Sequence, residues 1–279
     1  AAQILRGFFQ NQGGILMNLS DKRLFLFDID GTLAVGDELL PGARELLAEI
    51  ERRGGTSLFI TNNSTRSRSH YVKRFAEVFG LQTEERQFVT ASYVTARTLC
   101  DRYGTQTIYA QGTRSFVQEL RSFGLQIVTE FVDNPACIVV GYDGELTYDK
   151  LCRTAELLQR TDVPFYGTNP DLRCPAPFGF IPDCGAICGM LTATTGKEPV
   201  YLGKPAARMA ELCLEETGYS REQTLVVGDR LYTDIACGLA AGMDTCLLLT
   251  GEAGLDDFKT TRFQPDLVLD DPAALLAAL

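Results

Sequence analysis

The sequence predicts an α/β protein in which one parallel-sheet domain is interrupted by a second, inserted α/β domain. Three observations carry that prediction. Residues 24–79 alternate strand, helix, strand, helix, which calls for parallel strands joined by crossover helices. Residues 86–183 have an alternation of their own, long enough for a small domain. Residues from about 200 onward resume the opening pattern.

The elements follow in order. Four apolar residues at 24–27 read as a buried strand, tipped by Asp28 and Asp30 and turned by Gly31-Thr32. After Pro41-Gly42, Leu46, Leu47 and Ile50 mark a helix over 43–53 that Gly54-Gly55 ends. A second apolar run, 58–60, is tipped by Thr61-Asn62-Asn63-Ser64. Val72, Phe75, Ala76 and Phe79 stripe a helix over about 67–79, stopped by Gly80.

In the middle block, 90–103, 115–123 and 148–160 read as helices, and 107–110, 125–128, 136–142 and 164–167 as strands. Residues 168–183, rich in Pro, Gly and Asp, read as a long loop before a helix at about 185–195. The third part begins with a strand at 200–202. Gly203-Lys204-Pro205 then turns into a helix reaching about 216, and Pro205 suits its first position. A strand at 224–227 is tipped by Gly228-Asp229-Arg230. A helix at about 233–241, strands at 245–249 and 267–269, and a helix at 272–279 close the chain. The core domain is thus 17–85 with 184–279, and the insertion 86–183. Residues 1–16 read as an N-terminal extension without the basic start and apolar stretch of a signal peptide, and Met17 is a candidate natural start.

With 45% hydrophobic and 22% charged residues among 279, the composition is that of an ordinary globular protein. The formal net charge of −10 argues against a nucleic-acid backbone or an anionic membrane as partner, and no run of 18 apolar residues offers a membrane span. Nine dispersed cysteines without a Cys-x-x-Cys pair point to a reducing cytoplasm and to thiols as core filler. Cys184 and Cys188 are four apart but lack two further zinc ligands nearby.

The chemistry appears when the strand tips are collected: Asp28 and Asp30, Thr61 and Asn62, Lys204, then Asp229 and Asp234. In a parallel sheet, ligands bind beyond the carboxyl ends of the strands. Close carboxylates repel unless a cation or a shared proton lies between them. Acids without a histidine base suit oxygen-ligated magnesium better than zinc. A lysine beside them suits an oxyanion such as phosphate, worth roughly 4 kcal/mol at about 4 Å and an effective dielectric of about 20. Blander readings stand beside these. Asp-Gly alone supports an exposed turn, Lys204 a solvated helix start, and Asp234 an acid near a helix start. His70 reads as a surface residue. Arg66 and Arg68 attract an anion or form a solvated face. Asn169, Asp171 and Arg173 contact substrate or pin the hinge of the inserted domain.

Taken together, Asp28-Ile-Asp-Gly-Thr, Ile60-Thr-Asn-Asn, Gly203-Lys-Pro and Gly228-Asp-Arg with Thr233-Asp234 resemble the four motifs of the haloacid dehalogenase-like hydrolase superfamily, in order. The insertion between the second and third is similar to its type-2 caps. Thr-Asn-Asn, Thr168-Asn-Pro-Asp and Cys184-Gly-Ala point to subfamily IIA, with its p-nitrophenyl phosphatases and N-acetylglucosamine-operon phosphatases. The resemblance covers residues 22–279 and implies a Rossmann-like core under an α/β cap. It implies Asp28 as nucleophile, forming an aspartyl-phosphate, and Asp30 as general acid and then base. It implies magnesium held by Asp28, the backbone carbonyl of Asp30, and Asp229. Thr61 and Asn62 would bind or position the transferring phosphoryl group, Lys204 would neutralise it, and Asp234 would orient Lys204 or a metal-bound water. The expected protein is a magnesium-dependent phosphatase for a small phosphorylated metabolite such as a sugar phosphate or nucleotide. A phosphotransferase or mutase, or an inactive phospho-ligand sensor, are the alternatives. Family members often dimerise through the cap, which leaves a homodimer open.

Overall fold

The computed structural model describes residues 18–176, 178–254, 257 and 261–279. The expected extension, 1–16, lies outside the described residues, as does Met17. The described chain forms two compact units. One comprises the residues up to Thr61, 72–89 and those from Pro205 onward; the other comprises 62–71 and 90–204.

Along the chain come β1 (Leu24–Phe27), β2 (Ala34–Val35), β3 (Glu38–Leu39), α1 (Ala43–Arg52), β4 (Thr56–Thr61), α2 (Arg68–Glu77) and β5 (Phe88–Thr90). Next are α3 (Ala91–Tyr103), β6 (Thr107–Gln111), α4 (Arg114–Ser122), β7 (Gln126–Val128), β8 (Ile138–Val140), α5 (Tyr148–Arg160) and β9 (Phe165–Gly167). Then follow β10 (Arg173–Ala176), β11 (Gly179–Pro182), α6 (Cys184–Thr195), β12 (Val200–Tyr201), α7 (Arg208–Thr217) and β13 (Thr224–Gly228). A π-helical turn (Leu231–Ile235), α8 (Ala236–Ala240), β14 (Asp244–Leu248), β15 (Leu267–Leu269) and α9 (Pro272–Ala278) complete it.

A six-stranded sheet has the order β15-β14-β13-β1-β4-β5. Its central strand β1 runs parallel to both β13 and β4. All four residues of β1 are buried, which is why that strand is apolar throughout rather than alternating. Phe59 of β4 packs on Phe75 and Phe88 with ring centroids 4.7 and 5.1 Å away. At the amino ends of the strands the buried Lys22 donates from Nζ to the carbonyls of Glu222 (2.6 Å) and Thr224 (3.1 Å) and pairs with Asp244. The second unit holds a five-stranded parallel sheet, β12-β9-β8-β6-β7. No helix of the described residues is long and apolar enough to cross a membrane.

Parallel strands with crossover helices are thus found as expected, with differences in detail. The run at 200–202 resumes no core strand: β12 pairs with β9, and residues 184–204 belong to the second unit. A three-residue apolar run carries no mark of which sheet it joins. The long loop at 168–183 contains the antiparallel pair β10–β11. Two short elements escape sequence patterning, the β2–β3 pair and β5, whose last residue, Thr90, caps α3 by accepting from the Tyr93 N–H at 3.1 Å.

Candidate active site

In the first unit β1 and β13 lie side by side with Phe27 opposite Val227. The chain leaves β1 toward β4 on one side and β13 toward β14 on the other, so the crossovers diverge at this edge. Asp28 follows β1 and Asp229 follows β13. The Asp28 N–H donates to the Val227 carbonyl at 2.9 Å. Asp28, Asp229 and Asp234 each offer a carboxylate oxygen within 4.8 Å of the others. Among the described residues this is the one such group of three or more acid, histidine or cysteine ligands. Asp229 and Asp234 are buried and Asp28 is half-buried.

Local structure holds these acids closely. Asp229 Oδ1 accepts from the Thr32 hydroxyl at 3.2 Å and Oδ2 from the Glu252 N–H at 2.8 Å. A Cβ on Gly31 would stand 2.6 Å from Asp229 Oδ2, and one on Gly251 only 1.9 Å. Gly31 also has φ +94°, where side chains are strained. Asp234 Oδ2 accepts from the Arg230 N–H at 3.1 Å and closes the π-helical turn that replaces the start of the expected helix. The Arg230 guanidinium lies 3.1 Å from Glu252 Oε2, and Tyr232 donates to the other oxygen of Glu252 at 2.8 Å. Burial works against the charge of Arg230, but Asp28, Asp229 and Asp234 outweigh it and raise its pKa above the ordinary value.

One arginine against three carboxylates leaves this edge negative. The donor set is oxygen alone, which fits a hard divalent cation, and Thr32 and the Glu252 N–H would orient Asp229 toward it. The third carboxylate is Asp234, for which the resemblance implied an orienting role. Asp30, expected to lend its backbone carbonyl, turns its side chain elsewhere. That carboxylate is 54% exposed and lies 3.6 Å from Arg74 Nη1. The reason is local: the Ile29 carbonyl accepts from the N–H groups of Leu33 and Ala34, which bends the chain right after Asp28. Thr61 ends β4, next to β1, and is buried.

Asn62 and Lys204 belong to the second unit. Lys204 is 2% exposed. Its N–H donates to Asn62 Oδ1 at 2.9 Å, and its carbonyl accepts from Asn62 Nδ2 at 3.0 Å. The same Nδ2 donates to Asp171 Oδ2 at 3.0 Å. Asn169 donates to the Asn62 carbonyl at 2.8 Å, and Ser64 Oγ lies 3.0 Å from Thr168 Oγ1 and accepts from the Tyr142 N–H. Residues following β8, β9 and β12 therefore hold the segment 62–64. The Asn62 amide, expected to bind or position the phosphoryl group, is engaged with Lys204's backbone and Asp171. Asn169 and Asp171, expected to contact substrate or pin the hinge of the inserted domain, both hydrogen-bond to Asn62. Thr32, Arg230 and the Glu252 N–H were not anticipated; a backbone donor leaves no sequence signal. His70 is exposed, and the Cys184 and Cys188 sulfurs are 3.9 Å apart in a buried pair.

A family model described as haloacid dehalogenase-like hydrolase matches residues 25–126, and one described as HAD-hydrolase-like matches 201–275. The chain is 34% identical over 246 residues to the 5'-nucleotidase YutF of Bacillus subtilis, covering 88% of this chain and 94% of that one. Its fold matches 4-nitrophenylphosphatase from Thermotoga maritima with a TM-score of 0.86 at 32% identity, covering 93% and 98% of the two chains. Glycerol phosphate phosphatase from Mycobacterium tuberculosis, in complex with magnesium, matches with a TM-score of 0.86 at 26% identity, covering 94% of this chain and 79% of that one.

Proposed function

Since the chain belongs to the haloacid dehalogenase-like hydrolases, we propose that it is a magnesium-dependent phosphatase that hydrolyses small organic phosphate monoesters through an aspartyl-phosphate. The observation that supports this best is the group of Asp28, Asp229 and Asp234 at the edge where the crossovers diverge. Asp28 is the nucleophile: one of its oxygens forms a bond to phosphorus as the ester P–O bond breaks. Asp30, exposed outside the acidic group, gives its proton to the departing alkoxide. It then takes a proton from the water that attacks phosphorus, which releases inorganic phosphate and restores Asp28. Thr61 and Lys204 bind the transferring phosphoryl group, and Lys204 offsets its charge. Asp28, Asp229 and Asp234, with the Asp30 carbonyl, would hold magnesium, which when bound screens the like charges of nucleophile and phosphate.

The inserted domain acts as a cap that limits the substrate to a small metabolite: a sugar phosphate, a nucleotide or a p-nitrophenyl phosphate-like ester. The net charge of −10 and the dispersed thiols support a cytoplasmic enzyme without nucleic-acid or membrane partners. The test is phosphate release from a panel of such esters, with magnesium and with chelator, beside Asp28→Asn. Magnesium-dependent release that the variant lacks is the expected result. Release that survives in the variant, or none from any ester, overturns the reading.

A further inference from the structure

We propose that Asp171 is a positioning residue for Lys204 and acts through the side-chain amide of Asn62. The proposal rests on the reading that Lys204 neutralises the transferring phosphoryl group. A lysine ammonium sits on a flexible four-carbon stem, so its reach is set first by where the backbone is held. Sheet pairing holds the chain only up to Gly203. The Leu202 N–H donates to the Gly167 carbonyl at 3.1 Å and the Gly203 N–H to the Thr168 carbonyl at 2.8 Å. Beyond Lys204 comes Pro205, which has no N–H to pin. At Lys204 itself the Asn62 amide takes over as a substitute strand. It accepts from the N–H and donates to the carbonyl of the same residue.

That arrangement works in one orientation of the amide. Turned over, Nδ2 would face the Lys204 N–H and Oδ1 the carbonyl. Asp171 selects the working orientation, because its carboxylate accepts from Nδ2 at 3.0 Å and would repel Oδ1. Asp171 is itself held in place. Its N–H donates to Asn169 Oδ1 at 2.9 Å, and its carbonyl accepts from the Gly185 N–H at 2.8 Å at the start of α6. Asn169 in turn donates to the Asn62 carbonyl at 2.8 Å, which closes a ring of hydrogen bonds through Asn62, Asp171 and Asn169. The packing leaves no slack. A Cβ on Gly203 would stand 2.7 Å from Asn62 Oδ1, and one on Gly185 2.2 Å from the Pro170 carbonyl oxygen.

The test is a double-mutant cycle on p-nitrophenyl phosphate hydrolysis with magnesium, using wild type, Asp171→Ala, Lys204→Ala and the double variant. Asp171→Ala is expected to lower kcat/KM about tenfold in the wild-type background and less than about twofold once Lys204 is gone. Asp171→Asn keeps an acceptor in place and recovers most of the loss. Asn62→Asp puts a carboxylate against both Asp171 and the Lys204 carbonyl, so it gives a loss of the same kind. Adding Asp171→Asn to it recovers part, since a repelling charge is removed and a donor is brought in. Equal losses in both backgrounds, or an Asp171→Ala enzyme equal to wild type beside an impaired Lys204→Ala, overturn the positioning role alone. Wild type without release, or Lys204→Ala as active as wild type, overturns the reading of Lys204 and the proposal with it.

Discussion

Three carboxylates of the first unit come within 4.8 Å of one another, whereas the second unit holds its buried lysine with neutral amides and one outlying acid. The two solutions differ in what they need. Hydrogen bonds to Asp229 and Asp234 fix the acids in place beside Arg230, and the mutual repulsion of three close carboxylates favours a cation there. The grip on Lys204 is made by hydrogen bonds within the second unit. Reactive charge of one sign can therefore be concentrated where a metal is expected, while charge of the other sign is delivered by its backbone.

The largest effect should separate chemistry from positioning. Asp28→Asn is expected to lower kcat by about 10⁴-fold or more, against about tenfold for Asp171→Ala. Phosphate release by both variants, with circular dichroism to confirm folding, measures the gap; equal losses would erase the distinction. Next come the glycines that close each region. Gly251→Ala drives a Cβ against Asp229 Oδ2 and should raise the magnesium concentration for half-maximal activity by about 10- to 100-fold. Gly203→Ala disturbs the Asn62 amide and should lower kcat/KM without moving that midpoint. A magnesium titration of both variants reads the difference directly.

A smaller effect tests the repulsion itself. Asp234→Asn should raise the melting temperature in chelator, because one of three like charges is gone, and reduce the stabilisation that added magnesium brings. A thermal melt with and without magnesium shows both signs; a variant less stable in chelator would mean that the acids are already compensated. The smallest effect is at the surface. Hydrogen bonds from Arg52 and Arg53 pull the half-buried Glu49 down from 4.5 to about 2. Its folded value is depressed, so its contribution is full above about 4.5 and fades as pH falls toward 2. Glu49→Gln should flatten stability against pH in that window alone, as denaturant melts at several pH values would show. Neither reactive region should respond.

Much of the site was legible because each catalytic candidate follows an apolar run. A buried strand that ends in Asp28, Thr61 or Asp229 places a polar group at the carboxyl edge of a sheet whatever its neighbours are. The strand tipped by Lys204 is equally visible in the sequence, yet which sheet it joins is not, since Val200 and Tyr201 suit β9 as well as a core strand. Asp30 and Asp234 were harder. Both are acids near turns, and only the bend at Ile29 and the π-helical turn decide which carboxylate joins Asp28 and Asp229.

By itself, then, the sequence determined the α/β class, the order of the four motifs and the residue types available for chemistry. Those depend on local periodicity and on covalent neighbours. The tertiary structure alone decided that Asp234 completes the acidic group, that residues 184–204 join the second unit, and that Asn62 grips the backbone of Lys204. Hydrogen bonds and like-charge approaches act between groups far apart in the chain, Thr32 and Asp229 being 197 positions apart and Asn62 and Lys204 142, and their partners are fixed only when the chain has closed around them.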